Sequence, residues 1–262
     1  MSQNLPALRD QLKSELQSSS SNLQKCNQLL VQAKMAMIQL NAYTPSAQTD
    51  PNVLVVAREI LEMGAYHSVR VKDISSFERY IAQLHPYYHD LGSILPPSPQ
   101  MYPLIGLNLL RLLSQNRLSD FHTSLETIDP EQLQSSQHIK QAVDLEQFLM
   151  EGSYNKVWST RSTVQGEEFM FFYDILITTI RNEIASCSEK AYDSLPLQDA
   201  GTLLFLKNTQ ELLDFANERG WKVNPAEQVV HFGADDKDTV EIPQEQIITR
   251  TLAYARELER IV

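Results

Sequence analysis

Apolar residues recur three and four apart along most of this chain. Leu23, Cys26, Leu30, Ala33, Met37 and Leu40 form one such run, which predicts a long amphipathic helix. Pro45 and Pro51 bracket a loop, and Leu54, Ala57, Leu61 and Ala65 then predict the next helix. Ile74, Phe77, Ile81 and Leu84 predict another, stopped near Pro86 because proline lacks the N–H that the helix ladder needs. Pro96, Pro97 and Pro99 mark a connector. Leu107, Leu110 and Leu113, followed by Leu118, Phe121 and Leu125, predict a helix pair. Ile139, Val143, Phe148 and Leu149 open a second pair, with Gly152 near its turn and Val157 beyond. Short helices with short links pair as hairpins and stack side by side. No fixed period repeats, so the stack is irregular. Ala33, Gly64, Ala65 and Gly152 are expected where helices approach closely, and core packing accounts for the stripes themselves.

Helical spacing persists through Leu176, Ile180, Ile184, Cys187 and Ala191, and Pro196 then breaks the chain. Gln198 to Leu206 predicts a short helix with Ala200, Leu203 and Leu204 facing inward. Asn208 is placed to cap the following helix, with Glu211 completing a capping-box-like pair, and Gly220 supplies the stop. Lys222-Val223 and Val229 to Phe232 are extended, and Gly233 to Asp238 is a polar tip. Two helices followed by two short extended pieces have the outline of a winged helix. In a DNA-binding winged helix the second helix enters the major groove and carries positive charge. Here its outward face carries Glu211, Asp214 and Glu218. Phosphate would be repelled, so the module reads as a protein-docking element.

After Pro243 one more helix is predicted. Ile247, Ile248, Leu252, Tyr254, Ala255, Leu258, Ile261 and Val262 cover about half its circumference, with Glu259 near the edge. Such a stripe is wider than one flat contact needs and suits a helix held between two or more partners. The competing reading is a helix folded back on its own domain. The fold class is therefore mainly α: irregular helical hairpins, a winged helix with one small sheet, and a C-terminal helix.

Charge narrows the partners. The net charge is -11 over 262 residues, and no cluster of Lys and Arg stands out. Nucleic-acid binding through counterion release needs such a cluster, and an acidic surface is kept off anionic membranes. Cys26 and Cys187 lie far apart in sequence, on different predicted helices, which argues for a reducing compartment. Met1 to Asp10 lacks the order of a signal peptide. Phe169 to Ile180 is broken by Asp174 and is too short to span a bilayer. Cytoplasm, nucleus or both is the expected address.

Candidate chemistry is sparse. His85 and His89 have helical metal-ligand spacing, but Pro86 lies between them and a solvated turn is the better reading. Asp235, Asp236 and Asp238 lack the spacing and terminal Glu of a calcium loop and read as a wing tip. Ser153 follows Gly152 without a nucleophile elbow. Cys187 is expected to be a small buried hydrophobe rather than a nucleophile. No phosphate-binding Gly-Lys-Ser/Thr loop occurs. No catalytic residue, metal or cofactor is expected.

Leu195-x-Leu197-x-x-Ala200-x-x-Leu203-Leu204, then Glu211, Phe215 and Gly220-Trp221, resembles the winged-helix half of a PCI domain. That module is shared by the proteasome lid, the signalosome and translation initiation factor three. Three further segments, Gly106 to Arg117 with Phe121-His-Thr, Leu145 to Val157, and Tyr254 to Val262, resemble the small PCI subunits of the proteasome regulatory-particle lid. The resemblance runs from about Phe77 to Val262; His85-Pro-Tyr-Tyr-His89 has no counterpart in it. It implies a non-catalytic scaffold supporting lid assembly and ubiquitin-dependent degradation. It implies hairpin repeats over residues 1–165, the winged-helix part of the PCI domain over 166–240, and an assembly helix over 241–262. The implied partners are other lid subunits in a hetero-oligomer, met through the winged helix and a bundle of C-terminal helices. Ile247, Ile248, Leu252, Tyr254, Leu258, Ile261 and Val262 are the candidate partner-binding residues. A PCI scaffold of the signalosome or of the initiation factor is the nearest alternative. A nucleic-acid-binding winged helix and an enzyme with an unrecognised site are the more distant ones.

Overall fold

Helices dominate the computed structural model. It describes residues 5–17, 23–40, 42–43, 50–92, 94–129, 133, 136–161, 166–206, 208–224, 228–232 and 244–260. Two compact units divide the chain, residues 1–179 and 180–262. The first contains α1 (Leu5–Gln17), α2 (Leu23–Gln39), α3 (Pro51–Val71), α4 (Ile74–His89), α5 (Met101–Ser114), α6 (Leu118–Glu126), α7 (Gln137–Met150) and α8 (Tyr154–Thr160). The long α9 (Glu167–Ala191) runs through the division. The sequence pattern had not singled out α1, whose buried Leu5 and Leu12 are its only strong inward signal.

Consecutive helices pack on one another, α1 on α2, α3 on α4, α5 on α6 and α7 on α8, with α1 also on α3 and α5 on α7. Phe77, Tyr87, Phe121, Phe172 and Tyr173 fill the interior of this first unit. The Phe77 and Phe172 rings meet with centroids 5.4 Å apart. Tyr173 donates its hydroxyl to the Val157 carbonyl, which ties α8 to α9.

One turn closes helix after helix. At Lys72, Asn116 and Gly152 the backbone is left-handed, with φ of 64°, 57° and 68°. In each case the residue's N–H returns to the carbonyl three back and the next N–H to the carbonyl five back. Lys72 and Asp73 bond Val69 and Ser68; Asn116 and Arg117 bond Leu113 and Leu112; Gly152 and Ser153 bond Leu149 and Phe148. This closure satisfies carbonyls that a helix end would leave open. Gly152 was expected at a close helix contact. A Cβ there would meet nothing within 4 Å, so its glycine serves the left-handed turn. Gly64 does sit at a close contact. A Cβ there would lie 2.6 Å from Tyr80 Cε1 on α4. Gly64→Ala is therefore expected to cost about 1–3 kcal/mol, read as a lower midpoint in chemical denaturation with an unchanged slope.

The expected stop near Pro86 does not occur, and His85 and His89 do not lie in a turn. Helix α4 continues through Pro86 to His89, with Asp90 N–H bonded to the Pro86 carbonyl at 3.0 Å. Tertiary anchors on the two residues after the proline outweigh the lost ladder bond. Tyr87 is buried and donates to the Ala42 carbonyl, and Tyr88 donates to Glu62 at 2.9 Å. The exposed His85 and His89 rings lie with centroids 4.2 Å apart, tilted by 35°. Among the described residues no group of three His, Cys, Asp or Glu is arranged to hold a metal ion.

His67 is buried on α3. Its Nε2 lies 3.1 Å from Asn27 Oδ1, while Nδ1 is buried without a partner. Burial, and then the charge of Arg70, hold its pKa below the ordinary value of 6.5. The unfolded chain thus binds the proton more readily. His67's contribution is intact above about pH 6.5 and is lost as pH falls from there toward the depressed native value. Glu62 acts with the opposite sign, because burial raises its pKa. Its contribution is full at acid pH and declines as pH rises through the raised value. His67→Gln is expected to flatten the loss of thermal stability between pH 7 and about 5.5. An unaltered slope in the variant would exclude His67 as a source of that loss.

The second unit holds the remainder of α9, β1 (Ser194–Pro196), α10 (Leu197–Leu203), α11 (Thr209–Arg219), β2 (Lys222–Asn224), β3 (Val229–His231) and α12 (Gln244–Glu259). The strands form an antiparallel sheet ordered β1-β3-β2, with Val230 opposite both Leu195 and Val223. The expected short helix spans Leu197–Leu203 rather than Gln198 to Leu206. It ends early because Phe205 turns left-handed, φ 54°, and Leu206 N–H closes onto Gly201. Asn208 accepts the Leu212 N–H on its carbonyl at 3.2 Å, but its side chain does not cap α11; the side-chain amide instead donates to Glu211 Oε1 at 2.9 Å. Cys187 is exposed, not buried. The inward face centres on Ile184 and Ser188, and Cys187 lies at its edge. Among the described residues no helix is long and apolar enough to cross a membrane.

Candidate assembly surface

The winged module is held by one aromatic cluster. Gly220, with φ of 73°, ends α11, and Trp221 N–H closes back onto the Ala216 carbonyl at 2.8 Å. That turn swings the Trp221 ring between Phe215 and Phe232, at centroid distances of 5.6 and 4.8 Å and near-perpendicular angles of 76° and 88°. Edge-to-face pairs of this kind match the positive ring edge to the negative ring face. The indole N–H donates to Glu189 Oε1 at 2.8 Å and so fixes α11 to the end of α9. The buried Leu195, Ala200, Leu204, Leu212, Ala216 and Val230 complete the apolar interior of the module.

Charge on α11 is segregated. Glu211, Asp214 and Glu218 are all exposed, as the helical spacing predicts. The helix carries one cation, Arg219, and it is turned away to its own unit. Arg219 Nη2 donates to the Asn182 carbonyl at 3.0 Å and to Asn182 Oδ1 at 3.1 Å, and Nη1 lies 3.6 Å from Glu189. The face that a DNA-binding winged helix would press into the groove is therefore acidic, with no free guanidinium on the helix to contact phosphate.

Helix α12 carries the wide apolar stripe. Ile247, Ile248, Leu252, Tyr254 and Leu258 are exposed to 52, 58, 64, 70 and 53%. Every side chain described from residue 247 to 260 is exposed, so the helix does not bury its stripe on its own unit. Arg256, Glu257 and Arg260 lie away from the centre of the stripe, and Arg250 flanks its Tyr254 edge. The structure thus brings five of the candidate partner-binding residues onto one uncovered face. Ile261 and Val262 lie outside the described residues, as do the wing-tip aspartates Asp235, Asp236 and Asp238.

A second polar feature was missed in the sequence. Arg58 and Glu62, one turn apart on α3, are both buried in the first unit. Burial pushes the Glu62 carboxyl above its ordinary range, against hydrogen bonds from Ser98 and Tyr88 and the charge of Arg58. The phenols of Tyr66 and Tyr88 are likewise pushed up, chiefly by burial. In the sequence these residues sit within an amphipathic stripe, where charges normally face solvent, so no spacing rule marks them.

Hairpin repeats leading into a winged helix, with an acidic second helix and an uncovered terminal helix, define a PCI-type protein. The chain belongs to the CSN8/PSMD8/EIF3K family, whose model matches residues 99–241. It is similar along most of its length to curated relatives. The protein called 26S proteasome non-ATPase regulatory subunit 8 homolog A of Arabidopsis thaliana is 43% identical over 242 residues, covering 90% of each chain. The 26S proteasome regulatory subunit rpn12 of Schizosaccharomyces pombe is 36% identical, covering 90% of this chain and 93% of its own. The 26S proteasome regulatory subunit RPN12 of Saccharomyces cerevisiae is 35% identical, covering 98% of this chain and all of its own.

Proposed function

We propose that this chain is a non-catalytic structural subunit of the proteasome regulatory-particle lid and supports lid assembly and ubiquitin-dependent protein degradation. The likeness, along most of the chain, to relatives named as proteasome regulatory subunits carries the reading. The same family embraces signalosome and initiation-factor chains, but the relatives named here favour the proteasome.

The physical case for assembly is the α12 stripe. Five large apolar side chains face water on one helix side. Burying four or five of them contributes on the order of 6–12 kcal/mol gross, before the entropy of fixing the helix among partners. On this reading α12 enters a bundle of C-terminal helices from other lid subunits, through Ile247, Ile248, Leu252, Tyr254, Leu258, Ile261 and Val262. The winged helix makes the second contact and presents Glu211, Asp214 and Glu218 to a neighbour. The assembly is a hetero-oligomer that works in cytoplasm and nucleus, without nucleic acid, membrane or cofactor. Its domains are hairpin repeats over 1–165, the winged-helix part over 166–240 and the assembly helix over 241–262.

Nucleic-acid binding is separated from this reading by a gel shift at low salt. No mobility change is expected. A salt-sensitive shift that Glu211→Lys strengthens would favour the groove-binding alternative.

A further inference from the structure

Helices α1 and α3, the 98–100 segment and the start of α9 line a solvent-open pocket of about 490 Å³ in the first unit, within the size range of ligand sites. Its charged side chains are unevenly paired. Glu59 lies 3.3 Å from Arg9, and Glu168 lies 3.4 Å from Arg70. Arg58 and Glu62 are only 5 and 4% exposed, yet their closest approach is 3.8 Å, from Nε to Oε1. Among the described residues the Arg58 guanidinium makes one hydrogen bond, from Nη1 to the Pro96 carbonyl at 2.6 Å, and its Nε is buried without any.

A buried guanidinium with unfilled donor capacity is costly unless an acceptor reaches it. The lining holds three carboxylates and four cations, and Asp10 beside it lies 2.8 Å from Arg9, so the charges balance and the open donors of Arg58 are what the pocket leaves to be met. Leu16, Met63 and Pro99 supply apolar wall beside these charges. The Tyr66 hydroxyl is held by Gln100 Oε1 at 2.8 Å, which keeps its ring as a fixed side of the cavity. A carboxylate acceptor with an aliphatic neighbour complements those open donors and the apolar wall.

We propose that this cavity binds a peptide segment of a partner chain that presents one carboxylate beside an aliphatic side chain. The carboxylate meets Arg58 and Lys13, and the aliphatic group lies against Met63 and Leu16. The site is separate from the winged helix and from α12, and does not depend on either being an interface.

The test is titration of the isotopically labelled full chain, followed through the Arg58 Nε–H and Gln100 amide signals. The probe is acetyl-Glu-Leu-amide. Acetyl-Gln-Leu-amide, acetyl-Glu-Ser-amide and inorganic phosphate are the comparison arms. A saturable shift in the millimolar range is expected with the first, weakened roughly tenfold when Gln replaces Glu and weakened also when Ser replaces Leu. Lys13→Glu, a change at an exposed position, is expected to weaken the first probe roughly tenfold with an unaltered unfolding transition. Absence of a saturable shift up to about 10 mM overturns the proposal. So does equal binding of the Gln peptide, equal binding by Lys13→Glu, or a phosphate response as strong as the peptide's, which would mark a simple anion site.

Discussion

Deletion of residues 244–262 is expected to leave a folded, soluble chain that no longer enters its assembly. None of the side chains described from 247 to 260 is buried, so their loss removes no core contact seen in the structure. Surface changes of that kind move stability by no more than about 0.5 kcal/mol. The association energy, by contrast, depends on the apolar stripe. Losing four or five large residues from an interface removes on the order of 6–12 kcal/mol gross, enough to abolish stable incorporation. Leu252→Asp with Leu258→Asp makes the same test without shortening the chain. Two carboxylates would then have to enter an apolar contact, where an unpaired charge is strongly disfavoured. Thermal unfolding measures the first expectation and capture of tagged chain with its neighbours measures the second. Undiminished incorporation of either variant would remove α12 from the interface.

Trp221→Ala is expected to have the largest effect inside the second unit, about 3–5 kcal/mol. The ring is nearly buried, touches Phe215 and Phe232 edge to face, and fixes α11 to α9 through Glu189. Its removal opens a cavity where helix, sheet and α9 meet. Amide exchange at Lys222 to Asn224 and Val229 to His231 should accelerate, while exchange in α3 to α5 should hold steady. Trp221→Phe keeps one aromatic contact but loses the indole donor, and a milder loss is expected. Incorporation should fall with the stability of the wing, since Glu211, Asp214 and Glu218 ride on α11. Unchanged exchange in the two strands would mean that the aromatic cluster does not hold the module together.

Most of the helices were legible because burial follows a 3.6-residue period in stacked hairpins. The two extended pieces of the wing were visible as β-branched residues after Gly220. Ser194–Pro196 was not, since three residues ending in proline show no alternation; the strand exists through its pairing with Val229–His231. The hairpin closures were legible only where glycine made them. Gly152 and Gly220 mark two of the left-handed turns, but Lys72, Asn116 and Phe205 adopt the same conformation with ordinary side chains. Pro86 misled because its effect is local, whereas Tyr87 and Tyr88 are fixed by residues more than twenty positions away. Cys187 misled by its position at the margin of a stripe, where a small rotation of the helix decides exposure. The stripe on α12 could be read directly as a pattern. Its lack of a cover depends on how α12 leaves its own unit, which no local pattern encodes, and in the structure the stripe lies uncovered.

Co-purification of the intact, natively expressed chain, with mass spectrometry of everything retained at physiological salt, bears most directly on its role as an assembly subunit. Recovery in fixed proportion with proteasome regulatory-particle subunits, and loss of those companions when residues 244–262 are absent, is the expected result. Recovery of the chain alone, or with signalosome or initiation-factor subunits in their place, would contradict it.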